Sequence, residues 1–189
     1  MKSLDATKFS DEELVAKIVE KNDTHLFAVL YDRYAAVVYN KCYGFSKSKE
    51  EAQDLTHDVF IRLFVKLRTF KGRSKFSTWL YSFTYNFCVN YVQRNKEKKK
   101  ERVTVVTDQI KEETNEDEID DADLFELKSD KLAKALEMIS PSEKMILLMK
   151  YQDDMSIKEI SVLLELGDSA VKMRLKRAKE KVVKAYNKL

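Results

Sequence analysis

The chain has 189 residues, 35% of them charged and 44% hydrophobic, with three glycines, one proline and two cysteines. This composition excludes collagen-like, low-complexity and disulfide-framework proteins, and the scarcity of Gly and Pro favours an all-α protein. No run of about 18 apolar residues occurs and the N-terminus lacks a signal-peptide apolar region, so the expectation is a soluble, unsecreted protein. Cys42 and Cys88 lack a CxxC or a histidine cluster around them, which suits reduced packing residues better than a disulfide or a metal site.

The net charge of +3 hides an asymmetry. Residues 103 to 130 hold eleven acids against Lys111 and Lys128, a net of −9, so the remainder carries +12. The pattern is that of two basic bodies joined by an acidic, flexible linker, and basic bodies suit a polyanionic partner.

In chain order, Ser10 and Glu13 form a capping box for a short helix that turns Leu14, Val15, Ile18 and Val19 inward. After the polar break Lys21 to Thr24, a longer helix runs to about Tyr43 with its apolar stripe at Leu26, Phe27, Leu30, Tyr31, Tyr34, Val38 and Cys42, and Gly44 ends it. Ser48 and Glu51 form a second capping box, opening a third helix with Ala52, Leu55, Val59, Leu63 and Leu67 on its core side. Asp54, His57, Asp58 and Ile61 lie on another face, either solvated or open to a partner. His57, without a second histidine or cysteine nearby, reads as a surface residue rather than a ligand.

Phe70 to Arg102 concentrates eight of the chain's 20 aromatic residues and then six cations. Rings stack on unpaired bases and cations follow phosphates, so the stretch suits a single strand; a core helix with a basic tail is the plainer reading. Trp79, Tyr81, Phe83, Tyr85 and Phe87 alternate like a strand, yet Trp79, Phe83, Phe87 and Tyr91 repeat every fourth residue. With no partner strand in the chain, a helix is expected, with Ser77 or Thr78 as its N-cap. The loop before it, Phe70 to Phe76, has a glycine, three cations and Ser74 between rings. It could cup an extruded base or be a plain turn.

Helical signals return at Leu132. Ser140, Pro141 and Glu143 open one helix, Ser156 and Glu159 a second, and a last helix begins near Ser169 after a short break, the order of a helix-turn-helix. On the last helix Val171, Leu175, Ala178 and Val182 face inward, while Ser169, Lys172, Met173, Lys176 and Arg177 gather on the side that could enter a major groove. There is no carboxylate pair, nucleophile with base, or Gly-rich phosphate loop at a useful spacing, so an enzyme is not expected.

These parts, in this order, resemble the two-domain extracytoplasmic-function (ECF) sigma factors of bacterial RNA polymerase. LYDRY (Leu30 to Tyr34), EAQDLTHDVF (Glu51 to Phe60), FKGRSKFSTWLY (Phe70 to Tyr81), Asn86 and Arg94 resemble the family's first domain; Pro141, SIKEIS (Ser156 to Ser161) and AVKMRLKRAKEKV (Ala170 to Val182) resemble its second. The resemblance implies a first domain over 1–97, a linker over 98–130 and a helix-turn-helix domain over 131–189. It implies that Asp54, His57, Asp58 and Ile61 dock on the clamp of the polymerase's largest subunit. Lys71, Arg73, Ser74, Lys75, Trp79, Asn86, Asn90 and Arg94 would recognise and melt the minus-ten element, and Ser169, Lys172, Met173, Lys176 and Arg177 would read the minus-thirty-five element.

The implied partners are core RNA polymerase, promoter DNA and an anti-sigma factor, with no small-molecule substrate, cofactor or metal. The implied location is the cytoplasm at the nucleoid, or the inner face of the membrane when an anti-sigma factor holds the protein there. His57 stands where the family has glutamine, Asn90 and Gln93 replace an aspartate and an arginine, Glu165 takes the helix-turn-helix glycine position, and Ser169-Ala170 replaces Gly-Thr. Those at Asn90, Gln93 and Ser169 bear on which promoter is read.

Overall fold

A computed structural model describes residues 8–102 and 129–189. The chain divides into two compact units between Tyr91 and Val92, and every regular element among the described residues is helical. Of the stretch 98–130 expected as a linker, residues 98–102 continue a helix and 129–130 open another. The acidic part between them, with its expected flexibility, lies outside the described residues. No helix among them is long and apolar enough to cross a membrane.

The first unit contains α1 (Asp11–Lys21), α2 (Thr24–Tyr43), α3 (Lys49–Lys66), a 3-10 turn (Leu67–Thr69) and the start of α4 (Phe76–Arg102). Helix starts follow local side-chain chemistry. Ser10 and Glu13 cap α1 reciprocally, Asp23 accepts from the amides of His25 and Leu26 at the start of α2, and Ser48 accepts from the Glu51 amide at 3.2 Å. The box expected at Ser48 does not close, because the Glu51 carboxylate accepts from the Lys47 amide one residue earlier. Each cap satisfies amides that a helix end leaves without partners. Asn22 ends α1 in the left-handed region (φ 54°), whereas Gly44 closes α2 in ordinary helical geometry (φ −60°), so no glycine is required there.

The expected inward stripes are realised: Leu14, Ile18, Leu30, Val38, Ala52, Leu55, Val59, Leu63 and Leu67 are all at most 2% exposed. Burying each of the larger of these side chains is worth about 1.5–3 kcal/mol. Val19, expected inward, is instead 44% exposed, because it lies about 100° round the helix from Ile18, past the arc of Leu14, Ile18 and Val15 that meets the core. Phe27 meets Phe60 and Phe64 edge-on, at 6.3 and 4.9 Å, which locks α2 against α3.

Helix α4 resolves the ambiguous ring pattern. Its rings serve three directions: Phe76 and Tyr81 meet Tyr34 of α2, and Tyr85 meets Phe45 in the turn just after α2; Phe87 lies under Arg62 of α3; Trp79 packs with Phe70 and Phe83. A central helix with neighbours on several sides shows rings at both strand-like and helix-like spacings. It starts at Phe76, so Ser77 and Thr78 lie inside its first turn rather than capping it.

The second unit contains α5 (Ser129–Met138), α6 (Pro141–Leu147), a π-turn (Leu148–Gln152), α7 (Ile157–Leu164) and α8 (Asp168–Asn187). The capping boxes at Ser140 and Ser156 both form, and Pro141 takes the first helical position. The core holds Ala135, Met149, Ile160, Val171, Ala178 and Val182. Lys181 of α8 reaches Glu143 of α6 at 2.6 Å, and the Lys131 ammonium sits 4.2 Å from the Tyr186 ring centre.

Candidate nucleic-acid interface

Between Phe70 and Phe76 the chain makes an exposed turn carrying Lys71, Arg73 and Lys75, with Ser74 half-buried. Gly72 has φ +66°, where an L side chain is strained although a Cβ would meet nothing within 4 Å, so the glycine is needed for conformation and not for space. Both ends of the turn are pinned by rings: Phe70 contacts Phe76 edge-on at 5.5 Å and Trp79 at 5.5 Å. The Ser74 hydroxyl donates to the adjacent Lys75 carbonyl at 3.3 Å.

Trp79 is half-buried and stacks on Phe83 at 5.6 Å. Of the eight rings expected as a stacking surface, Phe76 and Tyr85 are fully buried in the core, and the other six are half-buried. The plainer reading therefore holds for the buried rings, and Phe70, Trp79 and Phe83 are those beside the loop. Asn86, Asn90 and Arg94 are exposed at successive four-residue steps, so they form one row along α4 on the Trp79 side. Asn86 donates weakly to Ser82, at 3.4 Å. Cations in the loop, amides along the row and a terminal guanidinium make a surface able to bind phosphates and base edges.

On α3, Asp54, His57, Asp58 and Ile61 are all exposed, on the side away from Leu55, Val59 and Leu63. Ile61 is 66% exposed and Val65, one turn on, 55%. Sequence reading missed Val65, though its four-residue step from Ile61 was visible. On α8, Ser169, Lys172, Met173 and Arg177 are exposed and Lys176 half-buried, opposite Val171, Leu175, Ala178 and Val182. The turn between α7 and α8 places Glu165 in the left-handed region (φ 53°), and the Leu166 amide donates to the Ser161 carbonyl at 3.0 Å.

Two features escaped the sequence reading. Lys41 is 2% exposed, its ammonium 4.1 Å from the Tyr81 ring centre and 4.9 Å from that of Tyr85. An apolar pocket of about 220 Å³ opens between α5, the end of α6, the π-turn and α8, lined by Leu132, Leu136, Leu148 and Tyr151 among others. A lysine at an inward helical angle and a four-residue leucine step were the available signals, and neither is distinctive alone.

Comparison with known proteins places both units. Residues 30–98 match the family model of sigma-70 region 2, and residues 129–182 that of sigma-70 region 4. The ECF RNA polymerase sigma factor SigW of Bacillus subtilis (strain 168) is 27% identical over 182 residues, covering 92% of this chain and 95% of that protein. The ECF RNA polymerase sigma factor SigX of the same strain is 24% identical over 148 residues, covering 77% and 76%. Among solved structures, CnrH in complex with the cytosolic domain of CnrY has a TM-score of 0.60 at 18% identity, covering 94% of this chain and 97% of that one. The sigma factor RpoE in complex with the anti-sigma factor NepR from Bartonella quintana has a TM-score of 0.58 at 17% identity, covering 85% and 96%. These two share its fold. The chain belongs to the ECF group of the sigma-70 family, transcription initiation factors that give RNA polymerase its promoter specificity.

Proposed function

We propose that this chain directs core RNA polymerase to its promoters and takes part in opening them, with its two units gripping separate elements of the DNA. The loop of Lys71, Arg73, Ser74 and Lys75, with Trp79, Asn86, Asn90 and Arg94 of α4, holds the minus-ten region and a base that has left its stack. Ser169, Lys172, Met173, Lys176 and Arg177 of α8 read the minus-thirty-five element in the major groove. Asp54, His57, Asp58 and Ile61 dock on the clamp of the polymerase's largest subunit. The relatives solved with CnrY and NepR support an anti-sigma factor as a further partner, with action in the cytoplasm or sequestration at the inner membrane face.

The observation that carries the reading is the exposed row Asn86, Asn90 and Arg94 rising from a glycine-turned cationic loop on one buttressed helix. Extruding a base costs a few kcal/mol, which contacts to the freed strand would offset without any bond being made or broken in the protein. Run-off transcription with purified core polymerase and promoter fragments, read together with permanganate reactivity of unpaired thymines, tests it. Chain-dependent transcripts and reactive thymines are expected. Binding to closed duplex with no effect on polymerase would point instead to a conventional helix-turn-helix repressor or activator.

A further inference from the structure

Five described helices are capped by the residue just before them: Ser10, Asp23, Ser48, Ser140 and Ser156. Helix α4 is held differently. The amide of Phe76, its first residue, donates to Oε1 of Glu12 at 3.0 Å, across 64 positions of sequence. The neighbouring Asp11 accepts from Arg33 at 2.7 Å and from the Tyr34 hydroxyl. The first turn of α1 thus joins α2 to the start of α4.

Phe76 is the point at which the cationic loop becomes helix. Its ring is fully buried and meets Tyr34 at 5.6 Å and Phe70 at 5.5 Å, the latter from the loop's other end. Fixing the Phe76 amide therefore fixes where Lys75, Ser74 and Arg73 leave the helix. A carboxylate here also occupies the positive end of α4.

We propose that Glu12 is a positioning residue for promoter opening: by accepting from the Phe76 amide it sets the loop of residues 71–75 in the geometry that receives the unpaired strand. This rests on the reading of that loop as the strand-holding element. Small displacements of a positioned group are costly, on the order of a hundredfold for about 1 Å in well-aligned sites.

The test uses the full chain with core polymerase, comparing Glu12→Ala, Glu12→Gln and Arg73→Ala with the parent. Three quantities are read: permanganate-reactive thymines at saturating polymerase, affinity for core polymerase, and the melting temperature of the chain. Glu12→Ala is expected to lower opening about tenfold with core affinity unchanged, and Glu12→Gln, which keeps Oε1 as an acceptor, to stay within about twofold of the parent. Equal losses in Glu12→Ala and Glu12→Gln overturn the positioning role, as does a Glu12→Ala loss that tracks melting temperature and core affinity. If Arg73→Ala lowers opening and Glu12→Ala does not, the loop reading stands and the role of Glu12 fails. If neither lowers it, the loop reading falls and takes this inference with it.

Discussion

The sulfur atoms of Cys42 on α2 and Cys88 on α4 lie 3.8 Å apart, in a core where neither residue is exposed. The Cys88 thiol donates to Cys42, and this bond, reinforced by burial, raises its pKa far above the ordinary thiol value. Because its folded pKa exceeds its unfolded value, the stability it contributes is complete below the unfolded value, about 8.5, and is lost as pH rises above it. Denaturant melts of the parent are expected to lose about 1 kcal/mol per pH unit in that range from this group. The double variant Cys42→Ala with Cys88→Ala is expected to lack that pH-dependent component, since a single substitution leaves the other buried thiol to hold the proton. If parent and double variant show the same pH slope, the pair does not retain a proton in the folded state. Thiol reagents are expected to react with the native chain only as fast as the unit opens.

Tyr34 gives a second alkaline transition, separable from the first. Burial comes first among its causes, followed by the hydrogen bond to Asp11, and together they raise the phenol well above its usual value near 10. The sign is the same: stability is complete below about 10 and lost as pH rises further. Tyr34→Phe keeps the ring contact with Phe76 and removes the titrating group. Its stability is expected to be lower at neutral pH by about 1 kcal/mol, for the lost hydrogen bond, and flatter above pH of about 10. Spectrophotometric phenol titration in the folded state checks the shift directly.

Both pairs show what sequence could and could not supply. Capping boxes at Ser10, Ser140 and Ser156 and the inward stripe of Ala52, Leu55, Val59, Leu63 and Leu67 were legible, because each depends on residues within a turn or two of each other. The exposed faces at Asp54 to Ile61 and Ser169 to Arg177 follow from the same local geometry. The partition of α4's rings was not legible, since only the positions of α2 and α3 decide that Phe76 and Tyr85 are core while Trp79 sits beside the loop. Nor were the Glu12 contact to Phe76, the Cys42 and Cys88 contact, and the burial of Lys41 between tyrosines. Each joins residues from separate helices, and no local period encodes it.

Glu165 marks a strained position that glycine would relieve. It ends α7 with φ 53° and ψ 42°, a region costing a side-chain-bearing residue about 1–2 kcal/mol over ordinary helix. Glycine enters it freely but loses more chain entropy on folding, which cancels part of the gain. Glu165→Gly is therefore expected to stabilise the second unit by about 0.5–1 kcal/mol net, read as a raised denaturant midpoint with an unchanged slope. A lowered midpoint would mean that Glu165 makes a compensating contribution outweighing its backbone strain.

The exposed face of α8 separates charge from shape. Lys172 and Arg177 are exposed at its two edges, with half-buried Lys176 and the 55% exposed Met173 between them. A cation neutralising one phosphate releases about one counterion, so Lys172→Ala, Lys176→Ala and Arg177→Ala should each weaken binding to the upstream element and lower the log–log salt slope by roughly 1 if they contact phosphates. Met173 carries no charge. Facing a groove, it can bury its side chain against a thymine methyl, so Met173→Ala is expected to weaken binding by about 1 kcal/mol with the slope unchanged and with the loss confined to sites bearing that methyl. Affinities measured with duplex from low to physiological salt, on thymine and uracil versions of the site, decide both points. Three lysine and arginine variants with parental slopes would remove α8 from the DNA; a methionine variant that weakens both versions equally would remove Met173 from base reading while leaving the helix in the groove.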